Sequence, residues 1–181
     1  MKKINEIGLR SSIIFNMPIM DANAIEVFSR SPEQTRRVGM RLGGFLRAGD
    51  VICLQGELGA GKTTLVQGLA AGWGSVDDVS SPTYVLVNIY RRPDSQRLYH
   101  LDTYRVETIP EAEELDLDDM ISQGPLVIEW PERLGAILPE EHLWIQLTFQ
   151  DDERRSMLMT GHGDRYEHLL VELRQAIFGV V

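Results

Sequence analysis

An α/β sandwich around a mixed β-sheet is the fold the sequence predicts, and three observations predict it. The apolar run Val51-Ile52-Cys53-Leu54 leads into a glycine-rich loop and then into helix-forming residues, the order expected around a buried parallel strand. Leu126-Val127-Ile128 is a second run of the same kind, and it ends on Glu129. Tyr84 to Tyr90 and Arg97 to Leu101 flank Arg92-Pro93-Asp94-Ser95, an antiparallel hairpin that makes the sheet mixed.

The 181 residues suffice for one domain with a sizeable core, and 43% hydrophobic with 25% charged residues is ordinary for a globular chain. Residues 1–22 read as a loosely attached N-terminal extension, or as a start placed upstream of Met20. Lys2-Lys3 and Ile13-Ile14-Phe15 hint at a signal peptide, but Arg10, Asn16 and Pro18 interrupt the apolar run and no small-residue cleavage site follows. Residues 23–181 are expected to form a single domain.

Within it, Ala24 to Phe28 alternates and predicts the first strand. Ser31-Pro32-Glu33-Gln34 is a helix start, with a serine cap and proline at the first helical position. Val38, Leu42, Phe45 and Leu46 carry that helix to about Arg47, and Gly49-Asp50 turns the chain into the next strand. Behind the glycine-rich loop, Thr64 to Ala71 predicts a helix with Leu65 and Leu69 one turn apart, ended by Gly72 and Gly74. Gly74 to Thr83 is a polar connection. After the hairpin, Glu111 to Ile121 predicts one acidic helix, broken by Gly124-Pro125. A short helical turn follows Trp130-Pro131, then strands over His142 to Phe149 and Arg155 to Thr160. Tyr166 to Phe178 closes the chain as an amphipathic helix. Cys53, the single cysteine, reads as a buried protonated thiol, which suits a reducing cytosol.

The loop itself, Gly56-Glu57-Leu58-Gly59-Ala60-Gly61-Lys62-Thr63-Thr64, satisfies G-x-x-x-x-G-K-[ST] in full. Glycines let the backbone curl until its N–H groups face a phosphate chain, the lysine reaches the β and γ groups, and the threonine hydroxyl offers an oxygen to Mg²⁺. The following helix adds the positive end of its dipole. With the flanking strand and helix, the expected fold is a P-loop NTPase-like three-layer sandwich that binds ATP with Mg²⁺.

Such a site needs a carboxylate at the end of a neighbouring strand. Asp102 follows Leu98-Tyr99-His100-Leu101, and Glu129 follows Leu126-Val127-Ile128; both acids fit the role. Thr83, in the polar connection, stands where nucleotide switches sense the γ-phosphate. His100 reads as a base or as a satisfied core residue, with the second favoured for a histidine inside a strand. His142, His162 and His168 have no metal-ligand spacing. Trp130 either covers the nucleotide or fills the core.

The formal charge of −9 is localised. Nine of the 27 acids lie between Val106 and Glu132, where there is no Lys or Arg; the other 18 acids balance the 18 bases. Two readings of the run stand, a solvated helix face or a docking surface for a basic partner. Under either, the chain lacks the clustered Lys and Arg needed to grip DNA or RNA directly.

Taken in order, Gly56 to Thr64, Ser81-Pro82-Thr83-Tyr84, His100 to Arg105, Glu113-Glu114-Leu115 and Ile128-Glu129-Trp130-Pro131 resemble the bacterial TsaE family, over about Ser31 to Pro139. The family is the ATPase component of the machinery that makes threonylcarbamoyladenosine next to the anticodon of tRNA. The resemblance implies a nucleotide loop over Leu58, Gly59, Ala60, Gly61, Lys62 and Thr63, extending to Thr64. It implies Thr63 and Glu129 as Mg²⁺ ligands, Asp102 and Lys62 as groups needed for hydrolysis, and Glu33 or Thr35 close to the nucleotide. It also implies a cytoplasmic protein with weak, partner-dependent hydrolysis, acting on tRNA only indirectly through a transferase and its inactive paralogue. The extension before Ala24 and the last forty or so residues depart from the family pattern.

A small-molecule kinase is the alternative, since kinases share the loop, but it needs an arginine-rich lid, and the hairpin supplies only Arg91, Arg92 and Arg97. A nucleotide-gated scaffold without useful turnover is a third reading.

Overall fold

A computed structural model describes residues 23–80, 82, 86–151 and 154–179. The N-terminal extension, Ser81, Thr83, Tyr84 and Val85 lie outside the described residues. One seven-stranded sheet organises the rest. Its strands are β1 (Ala24–Ser29), β2 (Val51–Gln55), β3 (Val87–Arg91), β4 (Arg97–Asp102), β5 (Leu126–Glu129), β6 (His142–Phe149) and β7 (Arg155–His162), in the spatial order β1-β7-β6-β2-β5-β4-β3. Strands β6, β2, β5 and β4 are mutually parallel; β7 runs antiparallel to both its neighbours, β6 and β1, and β3 runs antiparallel to β4. The mixed sheet and its hairpin follow the sequence expectation.

Alternation along β2 shows how the layers form. Ile52 and Leu54 face a core shared with α1 (Pro32–Gly43), α2 (Lys62–Trp73) and α5 (Asp164–Phe178). Val51 and Cys53 face the opposite core, which α3 (Ile109–Glu113) and α4 (Leu117–Gln123) cover with Ala112, Leu117 and Met120. Period-two side-chain direction thus makes one strand the middle layer of three. Burial pushes the Cys53 thiol pKa up, so it remains a packed, protonated side chain. At the start of β2 the buried Asp50 carboxylate accepts a forked pair of hydrogen bonds from Arg165 at 2.9 and 2.8 Å, and Tyr166 accepts the Val51 N–H at 2.7 Å, which ties α5 to the sheet.

Helices depart from expectation in three places. The Ser31 hydroxyl caps α1 as predicted, by accepting the Gln34 N–H at 3.3 Å, but the helix ends at Gly43 rather than near Arg47. Paired glycines end it: Gly43-Gly44 carry little helix propensity, and Phe45 and Leu46 form turns back to Leu42 and Gly43. The single acidic helix over Glu111 to Ile121 is two helices instead. Thr108 caps α3, and Asp116, at φ 49°, holds the left-handed turn that separates it from α4. Gly72 does not end α2, which runs on to Trp73 with Gly74 as its left-handed cap.

Gly72 belongs to a different pattern. Gly39 and Gly43 on α1, and Gly68 and Gly72 on α2, sit at the crossing of two parallel helices. A Cβ at these positions would lie 2.4 Å from the Leu65 carbonyl oxygen, 2.1 Å from that of Leu69, 2.2 Å from that of Arg36 and 2.0 Å from that of Met40, respectively. The helices are therefore in backbone contact, and their parallel register brings the start of α1 alongside the start of α2.

Gly43→Ala tests this packing, because intrinsic propensity alone favours alanine by about 1 kcal/mol while the steric clash opposes it. The clash is expected to dominate, lowering unfolding free energy by about 1–3 kcal/mol in urea titration. An equal or higher stability would show that the helices can separate without penalty.

Candidate active site

The loop after β2 sits at the C-terminal ends of the parallel strands, where open α/β sheets place their ligands. Gly61, at φ 104°, is the left-handed residue from which α2 starts, and a Cβ at Gly56 would lie 2.6 Å from the Leu147 carbonyl oxygen. Glycine is thus required at Gly56 by close approach and at Gly61 by conformation. Glu57, Leu58 and Gly59 are exposed at the tip, and Leu58 is 85% accessible, so its side chain packs on little and its position matters through the backbone. Ala60 is buried and donates its N–H to the Glu57 carbonyl at 3.1 Å.

Lys62 opens α2 and is buried. Its ammonium donates to the Gly56 and Glu57 carbonyls at 2.7 and 3.1 Å and stands 4.0 Å from the centroid of the Trp130 ring. Burial pushes its pKa down from the ordinary lysine value, while the Glu129, Asp102 and Glu132 carboxylates push it up. Trp130 takes φ 60°, which is rare for a bulky residue, and its ring meets that of Tyr104 at 5.0 Å. The sequence left Trp130 between covering a nucleotide and filling the core; the structure places it against the loop lysine.

Register levels the acids with the loop. Leu54 of β2 pairs with Glu129 of β5, and Glu129 pairs with Asp102 of β4. Both acids are buried. Thr63 donates its hydroxyl to Glu129 Oε1 at 3.1 Å, so the two residues expected to hold Mg²⁺ are in direct contact. Asp102 Oδ1 accepts the Tyr104 N–H at 2.9 Å, and Thr103 locks the turn by donating to the Glu129 and Trp130 carbonyls at 2.9 and 2.7 Å. Thr64 is half-buried one residue further along α2.

The remaining candidates fall further out. Thr35 is buried, with its hydroxyl 2.7 Å from that of Ser29 and 3.4 Å from the Ser31 carbonyl, while Glu33 is exposed and paired with Arg36 at 3.3 Å. His142 and His162 stack at 4.5 Å, with His142 opening β6 and His162 closing β7 at the end of the sheet opposite the loop; His168 bonds within α5. The acids Glu107, Glu111, Glu113, Glu114, Asp118 and Asp119 are exposed. His100 is the residue that sequence reasoning set aside. It is fully buried and its Nε2 lies 2.9 Å from Glu129 Oε1. Alternation places His100 and Asp102 on one face of β4, a signal present in the His-x-Asp spacing itself.

The oxygen donors fit a hard cation. A hydroxyl and a carboxylate 3.1 Å apart beside a loop lysine suit Mg²⁺, which takes one or two protein oxygens and completes its shell from phosphates and water. Among the described residues there is no cluster of three or more His, Cys, Asp or Glu that could hold a metal ion. Beside the loop opens a cavity of about 450 Å³, lined by Gln55, Gly56, Trp130, Gln146, Thr148 and Phe149 among others. No helix among the described residues is long and apolar enough to cross a membrane.

Residues 29–157 match the family model described as "Threonylcarbamoyl adenosine biosynthesis protein TsaE". The chain belongs to the TsaE family. It is 39% identical over 144 residues to the tRNA threonylcarbamoyladenosine biosynthesis protein TsaE of Bacillus subtilis, covering 79% of this chain and 89% of that protein. The Streptomyces coelicolor protein of the same name is 41% identical over 137 residues, 72% of this chain and 93% of that one. The crystal structure of YdiB from Bacillus subtilis superposes with a TM-score of 0.71 at 32% identity, covering 84% of this chain and 95% of that one. The α/β fold with a P-loop NTPase-like sheet is thereby established.

Lys62→Ala removes the cation that the loop encloses. ATP affinity measured by calorimetry is expected to fall by roughly 10-fold or more, in line with loss of a charge-assisted hydrogen bond. Unchanged affinity would remove the loop from nucleotide binding.

Proposed function

We propose that this TsaE family member is a weak, partner-dependent ATPase required for threonylcarbamoyl modification of the adenosine next to the anticodon in tRNA. The observation that carries the proposal is the Thr63–Glu129 contact of 3.1 Å at the start of α2, beside the loop lysine. Backbone N–H groups of Leu58 to Thr63 and the end of the α2 dipole bind the phosphates. Lys62 leaves the loop carbonyls for the β and γ groups, while Trp130 limits the directions its ammonium can take. Thr63 and Glu129 would hold Mg²⁺, which, when bound, neutralises charge on the transferring phosphoryl group. Asp102, buried at the next strand end, orients the attacking water. Thr64 supports the loop from the first turn of α2, and the start of α1, at Glu33 and Thr35, borders the nucleotide. Thr83 senses the γ-phosphate.

Charge supports action through a partner. The acidic face of α3 and α4 suits a basic protein surface, and a net charge of −9 disfavours direct capture of tRNA or DNA. The partner in this reading is the transferase with its inactive paralogue, in the cytoplasm. The hairpin arginines speak against a metabolite kinase: Arg91 is engaged by Asp77 at 2.7 Å and Arg92 by Asp94 at 2.6 Å, so neither is poised as a lid.

Reconstituting tRNA modification with the partner proteins tests the proposal. Wild-type protein is expected to support many turnovers, whereas Lys62→Ala and Glu129→Ala should each reduce turnover at least 100-fold, on the order of the effect of removing a charge-stabilising group from an active site. Full multiple-turnover activity in both variants would overturn it.

A further inference from the structure

One chain of hydrogen bonds reaches Glu129 from the side opposite the loop. The Ser80 carbonyl lies 2.9 Å from the Tyr90 hydroxyl, the same hydroxyl lies 3.1 Å from His100 Nδ1, and His100 Nε2 lies 2.9 Å from Glu129 Oε1. Oε1 in turn accepts the Thr63 hydroxyl at 3.1 Å. His100 is 0% exposed, Tyr90 3% and Glu129 3%, so the chain runs through packed interior up to the carboxylate. A contact of 2.9 Å between an imidazole nitrogen and a carboxyl oxygen has one proton between them, whichever atom carries it.

The strand backbone alone does not fix that carboxylate. Pairing with β2 and β4 sets the Glu129 Cα, but three side-chain torsions still separate it from Oε1. The imidazole supplies the missing restraint. Its ring cannot turn without giving up the Tyr90 contact on one nitrogen and the Glu129 contact on the other. Asn88 adds a further restraint on the phenol, donating to the Tyr90 oxygen at 3.4 Å and to the Ser80 carbonyl at 3.0 Å.

We propose that His100, held by Tyr90 and the Ser80 carbonyl, is a positioning residue that fixes the Glu129 carboxylate in the orientation that receives the cation of a Mg²⁺·ATP complex. The inference deepens the proposed function and rests on its reading of Thr63 and Glu129. Hydrogen-bond partners of ligating side chains set metal affinity in this way, because they remove the entropy of orienting the ligand at the moment of binding. Ser80 lies in the polar connection after α2, so the same chain runs from its carbonyl to the carboxylate.

Two substitutions separate positioning from packing. In His100→Gln the amide nitrogen reaches the place of Nε2 and keeps the bond to Glu129; in His100→Asn it reaches the place of Nδ1 and keeps only the bond to Tyr90. The readout is Mn²⁺ affinity of the ATP-bound protein, followed by electron paramagnetic resonance, with thermal unfolding recorded on each variant. His100→Asn is expected to lose about 10- to 100-fold in Mn²⁺ affinity. His100→Gln should stay within a few-fold of wild type, although both lose similar stability. Equal Mn²⁺ affinity in the two variants would overturn the positioning role. Should neither fold, Tyr90→Phe decides: a several-fold weaker Mn²⁺ affinity at unchanged ATP affinity supports the proposal, and unchanged Mn²⁺ affinity overturns it. Wild-type protein that takes up no Mn²⁺ with ATP would instead contradict the underlying assignment of Thr63 and Glu129, and the inference with it.

Discussion

The parallel register of β2, β5 and β4 is the constraint on which the site depends. It levels Leu54, Glu129 and Asp102 at one end of the sheet, so that a phosphate-binding loop and two carboxylates emerge within reach of one another. A one-residue slip would turn Glu129 away from Thr63 and point an apolar side chain there, because side chains alternate along a strand. The flanking runs prevent it. Val51, Cys53, Leu126 and Ile128 must face one core while Ile52, Leu54 and Val127 face the other, and each is essentially inaccessible to solvent.

Charge at the site is unbalanced around Lys62. Three carboxylates, Glu129, Asp102 and Glu132, act on the single ammonium of Lys62, which burial already disfavours in its charged form. Under the proposed function, polyphosphate beside Lys62 and a divalent cation beside Glu129 would improve both sides at once. The same interior holds the His100 chain, whose polar atoms are all paired, as a buried network requires. Helix packing contributes from outside. The glycine contact between α1 and α2 sets how closely the two helices lie.

Much of this was legible in the residues. The loop, its strand and its helix are local patterns, and the two acids follow apolar runs whose ends can be read directly, so Lys62, Thr63, Asp102 and Glu129 were all named. What was missed depends on contacts between distant segments. His100 reads as an ordinary strand residue until β4 pairs with β5 and brings Glu129 to its Nε2. Of the helix ends expected at Gly72 and Gly74, only Gly74 is one; Gly72 reads as a stop until α1 meets α2 and shows it, with Gly39, Gly43 and Gly68, to be a point of close helix contact. The acidic helix divided because Asp116 takes a left-handed conformation, which residue spacing does not reveal.

The most direct test of the central claim is equilibrium binding of ATP as Mg²⁺ is titrated into the wild-type protein and into Thr63→Ala and Glu129→Ala. The account predicts that Mg²⁺ tightens ATP binding to the wild type and that either substitution removes most of this tightening while leaving metal-free ATP binding nearly unchanged. ATP binding indifferent to Mg²⁺ in the wild type, or equally responsive in all three proteins, would contradict it.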